Sequence, residues 1–262
     1  MIHINNILYS FYCGVKFKFI YHYIYGLIFN RKIYKKNLLN KINFINRIEK
    51  LKQQKILVGL EMQVINHNIP YLHKVLYNER LLEKKMNGLI VGCYEGYSTL
   101  FFITHCIHAN FTCVDVWNKE RLSKGYNGLA EEFFDKNIKT YKNRFNKIKD
   151  NSVSFFKNNS KSFDFIYVDG AHDPLIVESD CRESLNFLNQ NGILIINSIF
   201  WRGFKELKKN NLYGIANFLK FFPFDLQPQG QEHHLANLPK CLGPLGRLAQ
   251  LIGPATESPR KC

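Results

Sequence analysis

Acidic residues are almost missing from the first 60 positions: Glu49 stands alone against eleven Lys and Arg, so this stretch carries +10 of the formal +15 of the chain. Such asymmetry points to nucleic acid or anionic lipid as a partner. Lys, Asn, Ile, Phe and Tyr nevertheless recur throughout residues 1–222, and that compositional bias accounts for the same imbalance. Alanine is absent before Ala109, and no basic segment precedes the first apolar run, so a cleavable secretory leader fits poorly. A long uncharged apolar run is missing as well. The aromatic stretch from Ile7 to Phe29 is broken near its middle by Lys16 and Lys18, each of which costs about 2.5–3.5 kcal/mol at a bilayer centre. What remains for this stretch is a helical extension packed on the core, the favoured reading, or a basic aromatic surface in peripheral contact with membrane or a partner. The seven cysteines form no CxxC pair and are odd in number. They are expected to be reduced cytosolic thiols, not a disulfide framework. His105-Cys106-x-His108 lacks a second ligand pair at finger spacing, so zinc is not expected there.

What is present is a real core: 46% of the 262 residues are hydrophobic. From Lys32 to Asn87 apolar residues such as Leu38, Ile42, Ile45 and Ile48 recur at helical intervals, with a break at Pro70. Strands then alternate with helices. Strands are predicted at 89–92, 111–115, 145–149, 164–168 and 193–197, and helices at about 97–107, 129–142, 152–158 and 175–190. That alternation predicts an α/β fold with a mostly parallel, doubly wound sheet, whose ligands bind beyond the carboxyl ends of the strands.

Those ends carry the polar residues. Gly92 to Gly96 is a glycine-bracketed turn between an apolar strand and a helix start, with Ser98 and Thr99 in the first turn of that helix. This is the layout of a nucleotide cradle. Asp115 ends the second strand about twenty residues on, where a carboxylate holds ribose hydroxyls; the alternative is a loop cap. Asp150-Asn151-Ser152 follows the third strand and suits an adenine edge or a helix N-cap. Asp169-Gly170-Ala171-His172 follows the fourth, and Asn197-Ser198, with Trp201 beyond, follows the fifth.

Taken in order, GLIVGCYEGYSTLFF, TCVDVW, EEFFDKNI and SFDFIYVDGAHDPLIVESDCRESLNFLNQNGILIINSIFW resemble the class I S-adenosylmethionine-dependent methyltransferases, in the branch similar to bacterial small-molecule O-methyltransferases. The resemblance covers roughly residues 75–220, and the turn spacing Gly92-x-x-x-Gly96 differs from the G-x-G-x-x-G of a dinucleotide site. It implies a Rossmann-like fold and S-adenosyl-L-methionine as cofactor. The backbone around Gly92, Tyr94 and Gly96 would face the methionine part, with Glu95 and Ser98 also cofactor-binding, Asp115 would hold the ribose, Val116 and Trp117 would flank the adenine, and Asn151 or Ser152 would meet its edge. Asp169 would stand beside cofactor and acceptor. Trp117 as plain core is the alternative for that residue. His172 is the candidate base, with Asp169 orienting it or the acceptor; its alternative is a bridge within its loop.

Two departures from that family bear on activity. Ile90 stands where relatives commonly carry a glutamate, and Asn197-Ser198 replaces an acidic pair that, with the strand-four aspartate, can hold a divalent cation, so no tight metal is expected. After Phe222 the chain changes: six of its eight prolines lie there and no strand alternation is visible. The expected division is a basic, aromatic helical extension at 1–74, a methyltransferase-like domain at 75–222, and a disordered Pro/Gly-rich tail at 223–262. On this reading the usual C-terminal hairpin is missing and strand five is an exposed edge. The expected function is methyl transfer to a small-molecule hydroxyl in the cytoplasm. The alternative is a non-catalytic scaffold with a degenerate cofactor pocket, and nucleic-acid methylation ranks well behind.

Overall fold

The polar turns just described can act together only if the strands that carry them lie side by side. The computed structural model describes residues 17–60, 64–118, 128–197, 206–220 and 247–250. In chain order its elements are α1 (Phe17–Gln53), α2 (Ile69–Asn78), β1 (Asn87–Val91), α3 (Tyr97–His105), β2 (Asn110–Asp115), α4 (Ala130–Ile138), β3 (Phe145–Lys149), α5 (Ser152–Asn158), β4 (Phe163–Val168), α6 (Pro174–Asn186), β5 (Leu188–Ile196), α7 (Asn211–Lys220) and β6 (Arg247–Gln250). Every strand pairs in parallel with its neighbours, in the order β3-β2-β1-β4-β5-β6. This is the doubly wound order predicted from the alternation, and it reverses direction between β1 and β4.

Side chains along each central strand alternate between two cores, as the two-residue strand period requires. Ile90, Cys113, Phe165, Tyr167, Ile193 and Ile195 face one core with α1 to α4, while Leu89, Val91, Val114, Ile166, Val168, Leu194 and Ile196 face the other with α5, α6 and α7. With both faces covered, β1 and β4 read as nearly continuous apolar runs. Ile90, the departure from the family glutamate, is fully buried in the first core.

Residues before β1 join that same core. Phe44 of α1 packs edge-on against Tyr97 and Phe101 of α3, with ring centroids 5.6 and 5.4 Å apart. Beyond α1 the chain is tied by polar bonds. Val58 exchanges two hydrogen bonds with the Asn137 side chain, and the Leu60 N–H donates to Glu95 Oε2 at 2.6 Å. Among the described residues no helix is long and apolar enough to cross a membrane.

Two features differ from the sequence expectation. The helix predicted to reach residue 190 stops at Asn186, and β5 starts at Leu188; its register against β4 jumps between the Phe163–Leu188 and Phe165–Ile193 pairs. The polar Asn-Gln-Asn-Gly run hides this early strand start from any apolar count. Strand β5 is also not an edge. Residues 247–250 of the proline-rich tail pair with Ile193–Ile196 in parallel, which satisfies the backbone groups that the sequence left exposed. The remainder of the tail, the segment before residue 17, Ser198 and Trp201 lie outside the described residues.

Replacing Phe44 by alanine removes a buried ring that three aromatic groups of α3 contact. Chemical denaturation is expected to show a loss of about 3–5 kcal/mol, and a loss below about 1 kcal/mol would mean that α1 does not belong to the core.

Candidate active site

Five turns meet along one rim of the sheet. The Gly92 N–H donates to the Val114 carbonyl, Asp169 N–H to the Val91 carbonyl, Asn197 N–H to the Val168 carbonyl and Asp150 N–H to the Asp115 carbonyl, all at 2.8–3.0 Å. The ladder therefore runs past the strand ends and holds the loops after β1, β2, β3, β4 and β5 in one continuous row. Tyr94, Asp115 and Asp169 all lie in this row.

The first two turns are stapled by a single carboxylate. Asp115 Oδ2 accepts from the N–H groups of Cys93 and Tyr94, both at 2.8 Å, and Oδ1 accepts from Trp117 N–H at 2.9 Å. The Trp117 indole N–H donates back to the Tyr94 carbonyl at 2.8 Å. Tyr94 and Trp117 both have positive φ, +46° and +38°, a left-handed conformation that costs roughly 1–3 kcal/mol each outside glycine. The staple holds both residues there. An ionised carboxylate offers about four acceptor positions, and three are filled by these backbone N–H groups. Cap and ribose ligand, alternatives in the sequence, are compatible in the structure.

Several of the residues expected to meet a ligand also have structural roles. Trp117 is 6% exposed and packs 4.8 Å from the Phe134 ring with the Lys147 ammonium above it, which makes it part of the core. Val116, 37% exposed, remains at the rim. Glu95 is buried, and its Oε2 accepts from Leu60 N–H, which anchors the chain before β1. Gly96 has a φ of +93°, a left-handed conformation that favours glycine, and a Cβ there would also press on Phe134 and Ile138 of α4 at 3.2 Å. At Gly92 the demand comes from the β4 turn: its φ is +87°, and a Cβ would lie 2.3 Å from the Asp169 carbonyl oxygen. Ser98 is buried in the first turn of α3. Asn151 caps α5, its side chain accepting from Ser154 N–H at 2.9 Å, and Ser152 opens that helix.

At the β4 and β5 ends a polar chain crosses the rim. Asp169 Oδ2 accepts from Tyr167 OH at 3.3 Å and from Asn197 Nδ2 at 3.0 Å, and Asn197 Oδ1 accepts from Asn68 Nδ2 at 2.7 Å. Because a carboxylate only accepts, it turns the Asn197 amide nitrogen toward itself, and that choice orients Asn68 in turn. Burial and the adjacent Asp169 charge push the Tyr167 phenol well above its ordinary range, which keeps it a donor. His172 meets Asn211 Nδ2 through Nδ1 at 3.1 Å. Burial pushes its imidazole down to about 4, with the Asn211 bond pulling the other way. The ring is therefore neutral at pH 7. A ring this hard to protonate is poorly suited to the base role expected of it.

Sequence reasoning missed Tyr167, Asn68 and Asn211. Tyr167 was within reach, because strand alternation puts residues 167 and 169 on one side. Asn68 and Asn211 lie 129 residues from Asn197 and 39 from His172, with no local signal.

Residues 89–199 match the family model described as a methyltransferase domain. The match spans β1 to β5, and the parallel sheet around the glycine turn has a Rossmann-like form. No curated protein matches the chain. Among solved structures it is similar to an O-methyltransferase from Bacillus cereus in complex with SAH, at 14% identity and a TM-score of 0.45, over 68% of this chain and 77% of that one. It is also similar to the O-methyltransferase TomG from Streptomyces achromogenes in complex with SAM, at 12% identity and a TM-score of 0.41, over 57% and 65%.

Substituting Asp115 by alanine strands three backbone N–H groups and frees two strained residues. The expected result is a stability loss of roughly 2–5 kcal/mol in urea denaturation, with S-adenosylhomocysteine binding abolished in titration calorimetry. An Asp115→Ala protein that binds like wild type would show that the staple does not shape the site.

Proposed function

We propose that this chain transfers the methyl group of S-adenosylmethionine to a hydroxyl oxygen of a small molecule. The observation that carries the reading is the stapled turn of Tyr94 and Asp115 lying in one row with Asp169, inside a methyltransferase domain. The donor set fits the cofactor: Asp115 would offer its remaining acceptor position to a ribose hydroxyl, Asn151 or Ser152 at the end of β3 would meet the adenine edge, and the rim carboxylates suit a cation. When bound, S-adenosylmethionine supplies a methyl group already activated by its sulfonium.

What the chain must add is alignment, exclusion of water and a destination for the hydroxyl proton. Asp169 takes that proton. Tyr167 and Asn197 hold its carboxylate at the rim, and the switch point beside β1 sets its distance from the glycine turn. His172, neutral through the working range, serves as a hydrogen-bond donor in the same loop. The small-molecule acceptor is recognised by residues before β1, which reach the rim through Asn68 and Asn66; Asn66 Oδ1 accepts from Tyr97 OH at 2.5 Å. The four described cysteines are free and buried, in keeping with a reducing cytoplasm.

One observation favours the competing scaffold reading: the Asp115 carboxylate is largely engaged by backbone and Ile90 supplies no charge. Calorimetric titration separates the two, because absence of S-adenosylhomocysteine binding at millimolar ligand removes the enzyme reading. With an acceptor found by screening hydroxylated compounds, Asp169→Asn is expected to cut turnover by about 10²–10⁴-fold. His172→Gln is expected to leave the pH profile between 6 and 8 in place, since a group with a pKa of about 4 is already neutral there. An acid limb near pH 6.5 that disappears in His172→Gln would return the base role to the histidine.

A further inference from the structure

Helix α1 is 37 residues long, about 55 Å at 1.5 Å per residue. Among its described side chains, which start at Lys35, Phe44 and Ile48 are the buried ones, and both belong to the first core. The face on the other side of the helix is open. Lys35, Leu39, Ile42, Asn46 and Lys50 are all exposed and follow one another in steps of three and four residues, which lines them up in one stripe half a turn from Phe44. Leu39 is 65% exposed and Ile42 42%. Lys36 and Arg47, also exposed, lie to one side of the stripe.

The charge on this helix is of one sign. It carries nine Lys and Arg against Glu49 alone, and Glu49 is half-buried. Lysine is common throughout residues 1–222, but the lack of acids is local: every Asp and Glu of the chain except Glu49 follows residue 60. The first half of the helix, residues 17–34, is rich in Phe, Tyr and Ile, with Lys18, Arg31 and Lys32 among them and no acid. Aromatic and aliphatic residues mixed with cations are the composition of a helix that lies in a headgroup layer. Among the described residues no helix is long and apolar enough to cross a membrane, so the contact this composition suits is one along the surface.

We propose that the exposed face of α1 docks the domain on an anionic lipid surface, with Leu39 and Ile42 entering the boundary of headgroups and acyl chains and Lys35, Lys36, Arg47 and Lys50 meeting lipid phosphates. The two aliphatic side chains decide the occupant. A lipid layer takes up apolar and cationic groups along one stripe. A nucleic-acid backbone would pair with the cations but gives Leu39 and Ile42 no apolar place. A second copy of the chain would set cation against cation. Phe44, on the inner face, packs edge-on against Tyr97, the first residue of α3 after the glycine turn. Docking therefore uses a face of α1 that the core leaves free.

The test is co-sedimentation of the full chain with vesicles of phosphatidylcholine, with and without phosphatidylglycerol. Each lysine near an anionic leaflet is worth roughly fivefold in partitioning. Wild type is expected to bind the phosphatidylglycerol vesicles at least about tenfold more tightly than the neutral ones, with binding that weakens as salt is raised. The double variant Lys35→Glu/Lys50→Glu is expected to lose that preference. Leu39→Gln/Ile42→Gln is expected to bind several-fold more weakly while keeping its salt dependence. Far-UV circular dichroism of both variants should match wild type, since all four side chains are exposed. Equal binding to the two kinds of vesicle, absence of binding, or wild-type binding by either double variant overturns the proposal. So does salt-sensitive binding of an RNA or DNA oligonucleotide that Lys35→Glu/Lys50→Glu abolishes in a protein that ignores vesicles. None of these outcomes bears on the methyl-transfer reading, which titration with S-adenosylhomocysteine tests by itself.

Discussion

A single carboxylate at the end of β2 holds the rim together. Asp115 accepts from both sides of a gap, two N–H groups of the β1 turn and one of its own loop. Without those bonds neither Tyr94 nor Trp117 has reason to occupy a left-handed conformation. Hydrogen bonds to a charged acceptor are worth roughly 1.5–3 kcal/mol each, enough to offset the strain of both residues. The Trp117 indole completes the staple from the core side, so packing against Phe134 and polarity at the rim are coupled through one side chain.

The far end of the rim is organised by the same principle with a different donor set. Asp169 collects a phenol from its own strand and an amide from β5, and the amide passes its orientation on to Asn68. The chain before β1 thus enters the site through hydrogen bonds and enters the core through Phe44 and Ile48. It is a structural part of the domain's first core. Glu95 joins the two parts as well: a carboxylate inside the glycine turn accepts from the Leu60 N–H.

Much of the architecture was legible in the linear chain. Strand and helix positions followed from apolar runs separated by Gly, Asn and Asp, and β3 and α5 fall at the predicted residues because their neighbours are strong turn and cap formers. The glycine turn and the strand-end aspartates were equally visible, since their meaning depends on place along a strand. The direction each side chain takes was not visible. Trp117 and Val116 are adjacent, yet one is core and the other rim, and only the backbone angle at residue 117 separates them. The basicity of His172 was unreadable for the same reason, because burial by surrounding elements, not its place after β4, lowers it. A four-residue strand inside a proline-rich tail was hidden too, because its pairing partner lies about fifty residues away and a segment that short has no periodicity to detect.

The order of residues alone therefore determined a doubly wound parallel sheet and the row of turns at its carboxyl edge, because local periodicity and turn chemistry act over a few residues. Only the folded chain decided which of those turn residues point outward. That choice depends on contacts between positions tens of residues apart, such as Asp115 with Cys93, Asn68 with Asn197 and His172 with Asn211, and no local pattern encodes them.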